Sequence, residues 1–333
     1  MANKRNLLVL WITGSCNLSC RYCYAAGRSG AMTQEIARAA LDRYREIPVT
    51  IQFAGGEPLL NWELIPYVTN YVQENRIDAR LQIQTNGTCL TREMAAFFRE
   101  HQIAVGVSLD GIPSVNERLR GKTAQVINGI QLLAAEGLHC NLNAVVTAEN
   151  ADQLEQMVDF AWYLESVEGI GLDLLRAAGR GREAFAALLA SEEQIRSALW
   201  QMETRSRQLE QLSGRKIVIR EVADAVKRMK YGKRLDYCYA AGGLARAILP
   251  DGSCYPCGSL AGIPEYAMGN ITETVCSICL KSEKTKEKEW CRDCPGRAVC
   301  PGACPSREIL NGADERDCIL RRTAFEIAEK WYV

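Results

Sequence analysis

Cys16-Asn17-Leu18-Ser19-Cys20-Arg21-Tyr22-Cys23-Tyr24 carries three cysteines at spacings x3 and x2, just after the apolar run 7–12. A continuous apolar run of that length reads as a strand buried on both faces. Three thiolates this close would compete for one place in a packed core, so a shared metal is the natural reading. Three ligands are one short of a tetrahedral zinc site or a complete iron–sulfur cluster. In a [4Fe–4S] cluster one iron would then stay open to something other than protein. A knuckle-like zinc site, or clustered core thiols, is the alternative.

Further strand-length runs lie at 49–53, 81–84, 103–107, 142–146 and 170–175. Helical patterns separate them. Thr33 reads as an N-cap with Glu35 in the first turn, and Ile36, Ala37, Ala40, Leu41 and Tyr44 share one face. Thr91 caps another helix, and 62–75, 126–136 and 151–164 carry the others. Six strand–helix alternations with short connections imply a parallel sheet. The loops at 16–24, 55–58, 85–87 and 108–111 each follow a strand. They should meet at the C-terminal rim, where parallel α/β proteins keep their sites. The expected fold is α/β, a partial (β/α)6 TIM-like barrel over 1–190. A helical bridge over 191–235 follows, with helices at 192–212 and 218–230 broken at Gly214. A small cysteine-rich iron–sulfur domain over 236–333 ends in a helix at 314–332, and its poor periodicity suggests that it needs metal to fold.

The 333 residues are 47% hydrophobic with a formal net charge of zero, so bulk electrostatics favour neither nucleic acid nor an anionic membrane. No apolar run approaches a bilayer span, and the N-terminus lacks a signal peptide, which points to the cytoplasm. Fifteen cysteines against two histidines is the outlier. Secreted disulfide scaffolds are usually short and follow a signal peptide, so metal ligation is the better reading. Three cysteines lie near the N-terminus and ten between 238 and 318; Cys89 and Cys140 stand alone and read as buried thiols.

The C-x3-C-x2-C spacing followed by an aromatic resembles the signature of the radical S-adenosylmethionine (SAM) enzymes. That resemblance implies that Cys16, Cys20 and Cys23 hold a [4Fe–4S] cluster whose open iron chelates SAM. Electron transfer would then release a 5'-deoxyadenosyl radical. Gly55-Gly56-Glu57-Pro58 resembles the family's GGEP motif, with a carboxylate or carbonyl meeting the SAM ammonium. Thr85-Asn86-Gly87 and Ser108-Leu109-Asp110-Gly111 resemble later motifs, implying that Asn86 and Ser108 lie near the nucleoside or methionine carboxylate. For each, an ordinary turn or cap is the alternative. Tyr22 is expected near adenine, with core packing an equal alternative; Arg118 and Arg120 both remain open for the SAM carboxylate.

Cys238-x13-Gly252-x4-Cys257, then Cys291-x2-Cys294-x5-Cys300-x3-Cys304 and finally Cys318, resembles the SPASM extension of that family at all its positions. It implies two auxiliary [4Fe–4S] clusters, three in all. Cys291, Cys294, Cys300 and Cys318 would hold the distal one, and Cys238, Cys257 and Cys304 the proximal one. For the fourth proximal ligand Cys254 is preferred; Cys276, Cys279 and an open iron stay as alternatives, and the Cys276–Cys279 pair, which has no place in that pattern, has a purely structural role as its other reading. A zinc ribbon is the other reading of this segment. The resemblance implies modification of a peptide or protein side chain, with a flavodoxin or ferredoxin as reductant. Sulfatase-maturating members carry an aspartate where this chain has Gly258, which counts against that substrate. The first strand starts near residue 6, leaving no room for a leader-binding domain, so a separate recognition protein or the barrel itself would read a leader peptide. Maturation of a tetrapyrrole or small redox cofactor is the enzyme alternative, and a multi-cluster electron carrier the non-enzyme one.

Overall fold

A computed structural model describes residues 5–280, 291–312 and 314–333. The apolar run ahead of the cysteines is β1 (Asn6–Thr13), in which Leu8, Leu10 and Ile12 are fully buried. Its neighbours follow in chain order: β2 (Val49–Gly55), β3 (Ala79–Thr85), β4 (Ala104–Ser108), β5 (Cys140–Val146) and β6 (Val167–Leu174). Each pairs in parallel with the next. The crossovers carry α1 (Gln34–Asp42), α2 (Leu64–Glu74), α3 (Arg92–Glu100), α4 (Pro113–Leu119), α5 (Thr123–Ala135) and α6 (Leu154–Tyr163). The Thr33 and Thr91 hydroxyls accept from the third residue beyond, as the N-cap reading requires. Helix α4 is an addition to the expected set, opened by Pro113 at its first turn.

After β6 come α7 (Arg180–Leu188), α8 (Glu192–Ser213), the two-residue β7 (Val218–Ile219) and α9 (Arg220–Tyr231). Ser191 and Gln194 form a capping box at the start of α8, and Gly214 at φ 75° ends it in the left-handed region. The sequence read 218–230 as one helix; instead its first two residues pair with β6, and the helix starts at Arg220. Two β-branched residues beside an open edge gain backbone bonds there that a helix N-terminus would not supply.

The cysteine-rich segment extends the same sheet. Strand β8 (Ala245–Ile248) pairs in parallel with β1, and β9 (Cys254–Tyr255) closes an antiparallel hairpin on it. The order is therefore β7-β6-β5-β4-β3-β2-β1-β8-β9, an open parallel α/β sheet with one antiparallel edge strand. Helices α10 (Pro305–Asn311) and α11 (Arg316–Trp331) complete the chain. The terminal helix expected at 314–332 is α11, which packs on α8 and α9 with Trp200 and Trp331 edge to face at 5.3 Å. Gly296 lies flat on the Phe325 ring, where no Cβ could fit. The stretch 281–290, part of the expected cysteine-rich domain, lies outside the described residues. Among the described residues no helix is long and apolar enough to cross a membrane.

Candidate active site

The cysteine loop leaves β1 at Gly14, whose N–H donates to the Gly30 carbonyl, and lies across the C-terminal rim of the sheet. The loop after β2 runs along it. Gly56 N donates to Thr13 O at 2.9 Å and Glu57 N to Ser15 O at 2.8 Å. A Cβ on Gly55 would strike the Thr13 carbonyl, and one on Gly56 the Ser15 carbonyl. Both glycines thus let two backbones meet. The Glu57 side chain points inward and is fully buried. Its carboxylate accepts from Leu59 N at 3.1 Å, Thr85 Oγ1 at 2.6 Å and Asn86 N at 2.7 Å. Burial raises its pKa, against the pull of these donors. Pro58 is buried and begins the short 3-10 turn that Glu57 caps. The carboxylate joins the loops after β2 and β3, so this motif turns its backbone, not its acid, to the rim.

Asn86 continues the tie. Its Nδ2 donates to Asn17 Oδ1 at 2.9 Å, and its Oδ1 accepts from Thr88 N at 2.9 Å. Asn17 Nδ2 in turn reaches Cys89 Sγ at 3.2 Å, so Cys89 is a half-buried thiol against the loop. Burial pushes the Cys16 and Cys20 thiols above their ordinary value, and both also feel Cys23. Arg120 pulls Cys20 back down. The three thiols share one electrostatic neighbourhood, yet among the described residues no three His, Cys, Asp or Glu side chains form a shell for a single ion.

Inside the rim is a cavity of about 310 Å³ whose wall includes all three cysteines, Asn86 and Ser108. Ser108 Oγ accepts from Gln84 Nε2 at 3.0 Å; Gln84 Oε1 accepts from Asn143 Nδ2 at 2.7 Å; Asn143 Oδ1 accepts from Arg220 Nη1 at 3.0 Å. This polar ladder crosses the inner face, and Gly106 leaves room for it, since a Cβ there would meet Gln84. Tyr22 is packed in the core. Its ring packs with Val115, Leu119, Leu175 and Leu188, and it also lines the cavity. Its hydroxyl donates to Asp110, which Arg120 grips through Nε at 2.8 Å and Nη2 at 3.1 Å. Of the two arginines left open, Arg120 lines the cavity, while Arg118 is exposed beside Glu149. Segment 176–181 closes the far side, with Arg180 Nε on the Cys20 carbonyl at 2.9 Å.

A second cavity of about 580 Å³ adjoins, and Gln52, Asp173, Arg176 and Arg220 line both. Cys238, Cys257 and Cys304 all line it, and the Cys238 thiol feels the other two. Cys294 feels Cys300 and Cys318, and its N–H donates to the Cys291 carbonyl. Cys238, Cys257 and Cys304 thus line one cavity, and Cys294 lies beside Cys300 and Cys318. Cys254, placed by sequence in the first set, belongs to neither. It is fully buried, its thiol donates to Gly252 O at 3.4 Å, and its charged neighbours are Arg246 and Arg43, with Cys276 nearby. The pleat explains this: as a paired residue of β9, Cys254 turns into the main core, away from Cys257. Asp173, Arg176, Arg220, Gln84 and Asn143 were missed because each is an ordinary polar residue in or beside a strand, with no motif around it. Only the inward phase of strands β3, β5 and β6 marks the three that lie on them.

Residues 12–161 match the model of the Radical SAM superfamily. This chain carries a radical SAM domain. An uncharacterized protein of Methanocaldococcus jannaschii is 29% identical over 82% of this chain and 91% of its own. The serine-type anaerobic sulfatase-maturating enzyme of Bacteroides thetaiotaomicron is 26% identical over 90% of this chain and 82% of its own. The Fe-coproporphyrin III synthase of Methanosarcina barkeri is 31% identical over 57% of this chain, which spans about half (49%) of that enzyme. Among solved structures, anSMEcpe with bound AdoMet and a Cp18Cys peptide superposes with a TM-score of 0.79 at 21% identity, covering 97% of this chain and 96% of that one. That likeness is one of fold.

A radical SAM domain works with SAM and a [4Fe–4S] cluster. The donors at the rim fit that pair. Three thiols face one space, and the adjoining wall offers neutral hydrogen-bonding groups and Arg120 to an amino acid and a nucleoside.

Proposed function

We propose that this radical SAM protein abstracts a hydrogen atom from a peptide or protein side chain, leaving a crosslinked or oxidised residue. The observation that carries this reading is the shared wall of the two cavities. Gln52, Asp173, Arg176 and Arg220 line both, so the three-cysteine rim and the Cys238, Cys257 and Cys304 set face adjoining cavities. A substrate reaching across that wall would lie between a radical source and an electron acceptor. The sulfatase-maturating relative, matched over most of both chains, supports a polypeptide substrate.

In this reading Cys16, Cys20 and Cys23 hold the cluster that binds SAM. Cys238, Cys257 and Cys304 hold a proximal auxiliary cluster, and Cys291, Cys294, Cys300 and Cys318 a distal one. When bound, these groups supply one-electron chemistry: reductive SAM cleavage by a flavodoxin or ferredoxin electron, hydrogen abstraction, and removal of the substrate's remaining electron. The chain's own residues position and exclude. Glu57 and Asn86 hold the cysteine loop on the rim, Ser108 and Asn143 present hydrogen-bonding groups to the cavity, and Tyr22 seals its floor. A leader peptide is read by the barrel or by a separate recognition protein, and the cytoplasm provides the reductant.

The test is iron and sulfide content after anaerobic reconstitution, with 5'-deoxyadenosine formation, in wild type and in a Cys16/Cys20/Cys23→Ala variant. About twelve irons should fall to about eight, and 5'-deoxyadenosine should vanish. About four irons, with zinc in the C-terminal segment, would refute the auxiliary clusters. Tetrapyrrole maturation is the second reading, favoured by the 31% identity to the coproporphyrin synthase. A Soret-band shift on titrating coproporphyrin, with no peptide modified, would favour it.

A further inference from the structure

We infer that Cys279 is the fourth protein ligand of the proximal cluster, completing the set begun by Cys238, Cys257 and Cys304; this rests on the reading above that those three hold such a cluster. Two cysteines close on the same short turn. The Cys238 thiol takes the backbone N–H groups of Ala240 and Ala241, while Cys279 Sγ donates to the Ala241 carbonyl at 3.0 Å. Both sulfurs therefore sit against residue 241. The turn itself is tight: Gly242 N donates to Cys238 O, and Gly243 N to Ala240 O.

Cys279 is held at that place on both sides. Gly243 adopts φ +70°, and a Cβ built on it would lie 3.5 Å from the Cys279 Cβ. The next residue, Leu280, donates its N–H to Ala240 O at 3.2 Å. Its side chain packs with Ala240, Ala245, Leu260 and the half-buried Cys257, and it lines the same cavity as Cys238, Cys257 and Cys304. One residue before Leu280, Cys279 thus enters at the border of the three-thiol set.

The other candidates face elsewhere. Cys254 points into the main core beside Arg43, Arg246 and Cys276. Cys276 is held near it, its N–H on the Met268 carbonyl. Exposure does not separate the candidates, since Cys276 and Cys279 are both exposed; the placement of Cys279 Sγ against Ala241 does.

The test uses full-length protein, anaerobically reconstituted, as wild type, C279A, C279D and C254S. Iron is counted, and EPR spectra are recorded as isolated and after dithionite. C279A should lose about one iron of about twelve and show a [3Fe–4S] signal as isolated. C279D, which keeps an oxygen ligand, should retain full iron but shift the g values of one reduced cluster. C254S should match wild type throughout. Wild-type spectra in C279A, or the expected changes appearing in C254S instead, would overturn the assignment. Should C279A fail to fold, an unshifted C279D spectrum overturns it alone. Wild type with only about four irons fails differently, by removing the cluster itself.

Discussion

The ring of Trp11 in β1 lies against Gly258, 2.9 Å from where a Cβ on that residue would stand. It ties the first strand to the loop that follows Cys257. Arg28 reinforces it, its guanidinium 4.3 Å from the Trp11 ring centre and its Nη2 donating to the Gly258 carbonyl at 2.9 Å. Position 258 therefore has no room for a side chain unless Trp11 moves. Gly258→Ala should cost roughly 1–3 kcal/mol, the usual penalty of overpacking. Gly258→Asp should do the same without conferring sulfatase-maturating activity. Urea unfolding and a sulfatase-peptide assay check the pair; an aspartate tolerated at wild-type stability would contradict the packing.

Arg28 also spans two loops, with its carbonyl bonds at Gly258 and Ala261 and its ring contacts at Trp11 and Tyr24. Burial lowers its pKa, and the neighbouring Tyr24 and Cys23 push it back. Arg28→Gln should lower the melting temperature by more than Arg28→Lys, because lysine keeps a cation over Trp11. A desolvated cation–π contact is worth up to about 2 kcal/mol. Equal melting temperatures for the two variants would refute the ring's role.

Arg307 is buried between Asp317, Asp173 and Tyr237, donating through Nε to Asp317 at 2.8 Å and through Nη2 to Tyr237 Oη at 2.7 Å. It anchors α10 to α11 and both to the end of β6. Removing one partner of a buried ion pair leaves the other uncompensated, at about 3–5 kcal/mol. Arg307→Ala should lose stability on that scale. Asp173 is pushed up by burial but held well below the carboxylate range by Arg176 and Arg307. Its contribution is present above the unfolded value of 3.8 and is lost only as the pH falls through the lower native value. Unfolding of wild type between pH 6 and 8 should therefore show no loss from this group; a steep dependence there would contradict the assignment.

Burial pushes the Cys140 thiol up to about 12 and the Cys254 thiol up to about 11. Thiolate is the reactive form, so alkylation of either should be negligible at pH 8 and rise about tenfold per pH unit. Iodoacetamide labelling of the native holoprotein, read by mass spectrometry, checks this. Rapid labelling of Cys254 at pH 8 would show that its thiol leaves the core.

Glu57 is the hinge between three loops, and Glu57→Gln keeps its shape while exchanging one acceptor oxygen for a donor. That N–H group would face Thr85 or the Asn86 amide. An unsatisfied buried donor costs about 1–3 kcal/mol. The variant should melt lower and bind SAM more weakly by calorimetry. Unchanged affinity with lowered stability would confine Glu57 to folding alone.

The sequence by itself determined whatever is encoded over a few residues. The strand runs, the Thr33 and Thr91 caps and the glycine stop at 214 were legible because local backbone preference and hydrophobic period are short-range properties. The cysteine spacings were legible too, since ligands on one loop must be close in sequence. Only the tertiary structure decided which surfaces those pieces share. It set Gly55 and Gly56 against the carbonyls of Thr13 and Ser15, and spent the Glu57 carboxylate inside the protein. It also turned Cys254 into the core and brought Cys279 to Ala241. The joining of β8 to β1 put the cysteine-rich segment on the barrel's own sheet. Contacts across 28 to 230 residues, such as Glu57 with Thr85 or Arg28 with Gly258, leave no periodic trace in the chain. They depend on loop closure and on packing that no local window contains.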